Sequence, residues 1–379
     1  MITPKCRHFG PCGGCSLQHL EYGEQVEHRR SLVVALLEKE VEVVPMENPW
    51  NHRSKMEFTF GQEGGRVTLG LHQKGSYQRI VDIEQCEIAH PEVSRLLCAI
   101  REAAGRSALS SYNNRRHEGF WRYAVARVSR STGELLLVLM TNEGPRAPLL
   151  AMAEELAAEV PALKSFYWGV TAKLSDVAQP DRLERLWGAE TLEDSVGAVR
   201  YRFGPSNFLQ PNHALVEKAY AAIRTGAGLT GQEAVYDLYC GIGLISLSLA
   251  GGAKTVCGVE SEPENIDFAE RNASLNGISN AEFICGRVED LIKGRALFRG
   301  GPAPDVIVLD PPRVGLHKEV LLPLLEARAP RLIYMSCNPA SLARDLKALT
   351  PAYRIESLKM FDFFPHTEHT EVLAVLTRS

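Results

Sequence analysis

Two apolar runs in the last quarter of the chain constrain the fold most. Val306-Ile307-Val308-Leu309 runs into Asp310-Pro311-Pro312-Arg313, and Leu332-Ile333-Tyr334-Met335 runs into Ser336-Cys337-Asn338-Pro339. Short continuous apolar runs bounded by polar residues read as strands buried on both faces, and a helix-like segment separates these two. Open α/β sheets collect ligands outside the carboxyl ends of their strands. An acid, Asp310, and a thiol, Cys337, are therefore expected as neighbours at a ligand edge.

The alternation of strand and helix patterns starts at Ala234, as in a doubly wound sheet. Ala234-Val235-Tyr236-Asp237-Leu238-Tyr239-Cys240-Gly241-Ile242-Gly243 is a strand entering a glycine-rich turn before a helix. Gly241 and Gly243 let a ligand approach the backbone, yet the third glycine of a dinucleotide fingerprint is absent. A second strand, Thr255 to Val259, ends in Glu260, spaced to accept hydrogen bonds from a ribose. The pair points to S-adenosylmethionine more than to NAD.

Cys337 supplies a chemistry that fits such a donor. A thiolate can add to C6 of a pyrimidine and make C5 nucleophilic enough to take a methyl group. The proton left on C5 must then be removed before the sulfur departs, which calls for a general base. Asp362, Glu368 and Glu371 are the acids of the tail, and Glu371 stands at the mouth of the final apolar strand, Val372 to Leu376. That strand is expected beside the one leading to Cys337, so Glu371 is the chosen base.

The front of the chain has a different character. Cys6, Cys12 and Cys15 are spaced C-x5-C-x2-C among Gly10, Gly13 and Gly14, and three thiols so close together call for a common ligand. Cys86, just before His90-Pro91, is the best fourth ligand, whereas Cys98 lies in a helical apolar stripe. Four thiolates suit zinc and iron–sulfur alike, and the spacing does not separate them.

Between these ends, Tyr22 to Glu40 reads as an amphipathic helix. Val26, Leu32, Val33, Leu36 and Leu37 would face inward, with Glu27, His28, Arg29 and Arg30 outward. Alternating runs at 54–61, 66–72 and 77–83 predict a small antiparallel sheet. In Asn114 to Arg130, arginines interleave with Phe120, Trp121 and Tyr123. That mixture suits single-stranded RNA, and equally a core strand with solvated arginines.

At 379 residues two or three domains are expected: a cysteine-bearing segment with a small sheet over 1–90, a central α+β RNA-binding region over 91–206, and a catalytic domain over 207–379. A net charge of −4 argues against coating nucleic acid by bulk charge, while leaving room for a local basic surface. No apolar run reaches membrane-spanning length and the N-terminus has no apolar targeting stretch, so a cytoplasmic protein without membrane contact is expected.

These motifs together resemble the RNA 5-methyluridine methyltransferases over nearly the whole length. The likeness rests on the cysteine spacing with a distant fourth cysteine, F-L-Q-P-N at 208–212, D-L-Y-C-G-I-G at 237–243, D-P-P-R at 310–313, S-C-N-P at 336–339 and H-T-E-H-T-E-V at 366–372. It implies a Rossmann-like S-adenosylmethionine-dependent methyltransferase domain with a smaller N-terminal and central α+β domain carrying a [4Fe-4S] cluster. By that likeness Cys337 is the nucleophile and Glu371 the base. Gln210, Tyr239, Gly241, Glu260 and Asp310 surround the methyl donor, and Cys6, Cys12, Cys15 and Cys86 hold the cluster.

Many relatives begin with a β-barrel RNA-binding domain, whereas here the cysteine motif starts at Cys6; this favours the shorter ribosomal-RNA subgroup over the longer one, with 23S ribosomal RNA expected ahead of transfer RNA, and a monomer is expected. Two other readings compete with uridine C5 methylation. One is an amino-methyltransferase in which Cys337 is a core thiol; the other is a non-catalytic RNA-binding cluster protein.

Overall fold

The computed structural model describes residues 1–174, 176–293, 297 and 301–379. An N-terminal loop carrying Cys6, Cys12 and Cys15 leads into helix α1 (Tyr22–Leu37) and a short strand β1 (Glu42–Val44).

Seven strands then form one sheet: β2 (Lys55–Glu63), β3 (Arg66–His72), β4 (Ile80–Asp82), β5 (Trp121–Val128), β6 (Leu135–Thr141), β7 (Leu163–Val170) and β8 (Arg182–Gly188). Their order is β4-β3-β2-β5-β6-β7-β8. Strands on both sides of residue 90 thus share a single sheet. Neighbours are antiparallel except β6 and β7. That parallel pair is bridged by α3 (Ala147–Glu159), which packs with α2 (Pro91–Arg106) on one face. The period of two is visible in β2, where Met56, Phe58 and Phe60 point into the core beneath those helices.

A hairpin, β9 (Leu192–Val196) with β10 (Val199–Phe203), and α4 (His213–Ala227) lead into the second sheet. Its strands alternate with helices: β11 (Ala234–Leu238), α5 (Leu244–Ala250), β12 (Thr255–Glu260), α6 (Pro263–Leu275), β13 (Ala281–Cys285), α7 (Val288–Ile292), β14 (Val306–Leu309), α8 (Lys318–Ala327), β15 (Arg331–Ser336), α9 (Pro339–Leu349), β16 (Tyr353–Phe361) and β17 (Glu371–Arg378). The order is β1-β16-β17-β15-β14-β11-β12-β13, parallel from β15 to β13, with β17 antiparallel between β15 and β16. This is the doubly wound α/β arrangement expected from the alternation. Apolar clusters lie on both its faces, and one of them continues into Tyr123, Val125, Val138 and Met140 of the first sheet. Among the described residues no helix is long and apolar enough to cross a membrane.

Two sequence expectations fail here. In α1, Gln25 and Arg29 are buried while Leu32 and Leu36 are about half exposed. The partners that reward burying Arg29 lie over 300 residues away, in the loop before β17, where periodicity has no view of them. At β5 the core-strand alternative holds for the aromatics, Phe120 just before it and Trp121 and Tyr123 within it, but not for its solvated arginines, since Arg122 and Arg127 are buried with them. Arg127 donates to the carbonyls of Gly204 and Pro205 at 2.7 and 2.9 Å, tying the first sheet to the segment that enters the catalytic half. Arg127 and the aromatics are structural, and the exposed cations of this stretch are Arg115 and Arg116.

Candidate active site

At the carboxyl edge of the parallel strands lies a cavity of about 900 Å³. It is lined by Gln210, Tyr239, Gly241, Glu260, Asp310, Cys337 and Glu371, bringing together residues up to 161 positions apart (371 − 210 = 161). The strand ends explain the convergence: Tyr239 follows β11, Glu260 closes β12, Asp310 follows β14 and Cys337 follows β15. Glu371 opens β17, whose Val372 is in register with Ser336, so the Glu371 carboxyl and the Cys337 thiol enter from adjacent antiparallel strands.

The turn after β11 is shaped for close approach. Tyr239 has φ 72° and Gly243 φ 83°; a Cβ on Gly243 would sit 2.9 Å from Phe283, so no larger residue fits. Both oxygens of Glu260 are anchored by backbone amides, from Gly241 at 3.1 Å, Ser261 at 2.7 Å and Glu262 at 2.9 Å. With the Ser261 hydroxyl also donating to Oε1 at 3.0 Å, this fixes the carboxylate beside the glycine turn and leaves a lone pair open on Oε2.

Behind this edge stands a group of buried acids. Burial pushes Asp237 up to about 6 against the opposing bond from Ser246, whose hydroxyl donates at 2.6 Å. Asp310 is pushed up to about 7 by burial and by the charge of Asp237, with Gln210 bonded to it working the other way. Glu371 is 1% exposed, and both its oxygens find no hydrogen-bond partner among the described residues. Burial, then the charge of Asp310, holds its carboxyl well above the usual range. A desolvated carboxylate with open lone pairs is a strong proton acceptor.

Burial raises the Cys337 thiol to about 11, helped by Glu371 and Asp310 and opposed by Arg313. Arg313 is itself positioned: its carbonyl accepts from the Asn338 amide at 3.0 Å, and its guanidinium meets His369 at 3.3 Å. Asn338 also caps α9, accepting from the amide of Ala340 at 3.1 Å, so D-P-P-R and S-C-N-P are one bonded unit.

Sequence reasoning assigned no role to Phe208, which lines the cavity with 65% of its surface exposed. Its signal was an aromatic two residues before Gln210. Phe364 lines the same cavity, as does Glu289, which accepts from the Tyr239 hydroxyl at 3.5 Å. Nothing local to Glu289 in the sequence marks it.

The four front cysteines come together elsewhere. Cys6, Cys12, Cys15 and Cys86 line one small hollow with Phe9 and Ile88. Gly14 abuts Leu71, leaving 2.9 Å for a Cβ, so the loop wraps as tightly as its glycines allow. Among the described residues no three His, Cys, Asp or Glu side chains are drawn close enough to grip a single metal ion. Four convergent thiols nonetheless form a donor set of the right chemistry for a larger thiolate-bound group. The loop reaches the catalytic half directly, since Ser16 and Leu17 both donate their amides to the His366 carbonyl, at 2.8 and 3.0 Å.

Residues 21–379 match the family model described as tRNA (Uracil-5-)-methyltransferase. An uncharacterized RNA methyltransferase of Halalkalibacterium halodurans is 37% identical over 384 residues, covering 99% of this chain and 83% of that protein. Another, of Clostridium acetobutylicum, is 34% identical over 386 residues, covering 99% and 83%. Among solved structures, Pyrococcus abyssi tRNA (uracil-54, C5)-methyltransferase in complex with S-adenosyl-L-homocysteine superposes with a TM-score of 0.80 at 30% identity. That match covers 97% of this chain and 86% of the archaeal one.

Proposed function

The chain belongs to the tRNA (uracil-5-)-methyltransferase family, and on that footing we propose that it methylates C5 of a uridine in RNA through a covalent bond from Cys337 to C6. The observation that carries this is the shared cavity, in which the Cys337 thiol and the unpartnered Glu371 carboxyl enter from neighbouring strands.

S-adenosylmethionine, the methyl donor, would lie along the strand edge. Glu260 would accept from its ribose, and the Gly241 turn would let it approach the backbone. Gln210, Tyr239 and Asp310 would close the side facing the base. Loss of the thiol proton to solvent lets sulfur add to C6, and the electron pair of the C5–C6 double bond moves toward C5. C5 then takes the methyl group as the donor's sulfonium S–CH3 bond breaks and its electron pair stays on sulfur, leaving S-adenosylhomocysteine, and Glu371 accepts the remaining C5 proton. The electrons of that C–H bond restore the double bond and expel the Cys337 sulfur, so the enzyme ends with one proton on Glu371 and none on the thiolate. Arg313 would hold negative charge at Cys337.

Cys6, Cys12, Cys15 and Cys86 would hold a [4Fe-4S] cluster, for which four convergent thiols are the donor set. Its contribution would be to fold the front loop, since methyl transfer moves no electron between centres.

The substrate is taken as ribosomal RNA, following the sequence reading. Transfer RNA is the second reading, favoured by the family description and by the activity of the archaeal enzyme. Mapping 5-methyluridine in ribosomal and transfer RNA from cells with and without the gene tests both. Loss of one 5-methyluridine from 23S RNA is expected; loss only from transfer RNA selects the second reading, and no loss from either rejects uridine C5 methylation.

A further inference from the structure

The first sheet carries a second large cavity, of about 540 Å³, outside the catalytic cleft. Arg79, Arg115 and Arg116 are exposed on its walls, and Glu118 is the carboxylate among its lining residues, 3.9 Å from Arg116. Tyr77, 71% exposed, and Tyr112 supply aromatic surface. The loop bearing the two adjacent arginines is built: Asn113 Oδ1 accepts from the amides of Arg115 and Arg116 at 3.0 Å each. The amides of Tyr112 and Asn113 close it onto Trp121 and Glu118 at 2.8 and 2.7 Å. Gly119, at φ 117°, has no room for a Cβ beside Ser111.

At the base of this cavity is Arg122, 2% exposed, its guanidinium stacked 4.0 Å from the centre of the Tyr112 ring. A register shift between Trp121 and Tyr123 places it there. Its Nη1 donates to Asn142 and Thr171, but Nε and Nη2 find no hydrogen-bond partner among the described residues, although the head leans toward the Tyr123 hydroxyl. Asp176 is spent on Tyr123, at 2.7 Å, and on His72, at 3.1 Å. A buried guanidinium with two open donors is costly to keep unless something anionic completes it.

One strand connects the cavity to the catalytic cleft. Ser54, one residue before β2, donates to the carbonyl of Pro211, which lines that cleft. Thr59 to Gln62 of the same strand line the arginine cavity, roughly 17–26 Å further along at ~3.3 Å per residue. A smaller hollow of about 260 Å³ spans the interval: Val125 on its wall is two residues from Tyr123, and Ser206 two from Phe208.

We infer that this cavity is a second nucleotide site for the RNA substrate, taking a phosphate against the arginines and a splayed base against Tyr112 or Tyr77, a few nucleotides from the target uridine. The inference rests on the proposed RNA methylation and adds where the rest of the strand is held. Phosphates pair with arginine forks and unstacked bases lie on aromatic faces, and such a site supplies affinity without reading the target base.

The test uses the full-length protein and a fluorescein-labelled single-stranded oligouridylate, with affinity measured across a salt series. Arg115→Glu with Arg116→Glu, both exposed, is expected to weaken binding at least about 10-fold and to flatten the salt slope by about 0.7 per lost phosphate contact. Tyr112→Ala is expected to weaken binding about 5-fold or more with the slope unchanged, as loss of one stacked base does. Methyl-donor affinity and melting temperature serve as folding controls. Unchanged RNA affinity and slope in the double variant overturn the site. If the wild type binds RNA but transfers no methyl group to uridine, the underlying function falls instead.

Discussion

Arg29 of α1 and Asp362 of the loop before β17 meet at 2.9 Å with both side chains fully buried. Arg29 also donates to the carbonyl of Thr367 at 2.7 Å, and the Tyr22 hydroxyl donates to Asp362 at 2.6 Å. With Gln25 accepting from the His366 amide at 3.1 Å, α1 grips both ends of the loop that delivers Glu371. Removing one partner of a buried pair leaves the other charge uncompensated. Arg29→Ala is therefore expected to cost roughly 3–5 kcal/mol in denaturant unfolding. Arg29→Met with Asp362→Leu is expected to cost less than the single change; equal or greater loss would show that the pair is not the source of the effect.

Glu371→Gln removes the acceptor for the C5 proton while leaving the thiol in place. Sulfur addition and methyl transfer then proceed, but elimination does not. A protein–RNA adduct that survives a denaturing gel is the expected outcome. A folded, donor-binding variant that forms no adduct would move the base elsewhere.

The pH dependence has a definite sign. Cys337, raised to about 11 by burial, must lose its proton to attack, and Glu371, also raised by burial, must be ionised to accept one. Both requirements are met progressively as pH rises, so single-turnover methylation is expected to climb from pH 6 towards pH 9. Arg313→Gln removes the cation that lowers the thiol and is expected to displace the climb to higher pH. A profile that falls over this range, or one that Arg313→Gln leaves in place, would contradict these roles.

Protein purified without oxygen is expected to be brown, to absorb in the visible, and to lose its colour in Cys86→Ser. A colourless protein with stoichiometric zinc would replace the cluster by a metal ion on the same thiols.

Much of this was legible in the chain because strand ends are local. The runs before Asp310 and Cys337, and the glycine turn before α5, each announce a ligand edge within about ten residues, and parallel packing then juxtaposes them. What stayed hidden depends on distant partners. The three residues Glu42 to Val44 pair with Lys359 to Phe361, completing the catalytic sheet from the far end of the chain. Arg29 reads as a solvent-facing residue until Asp362 is placed beside it. Arg127 looks like a nucleic-acid contact because composition shows its charge but not its burial. Glu289 has no pattern of its own; it reaches Tyr239 only through the packing of α7.

The central claim is that the methyl group replaces the hydrogen on C5 after Cys337 has bonded to C6. RNA carrying uridine tritiated at C5, incubated with enzyme and a methyl donor labelled with carbon-14, reports both events at once. One tritium released to water for each methyl group incorporated, with both lost in Cys337→Ala, is the predicted result. Methyl incorporation without tritium release, or full activity in Cys337→Ala, would contradict it.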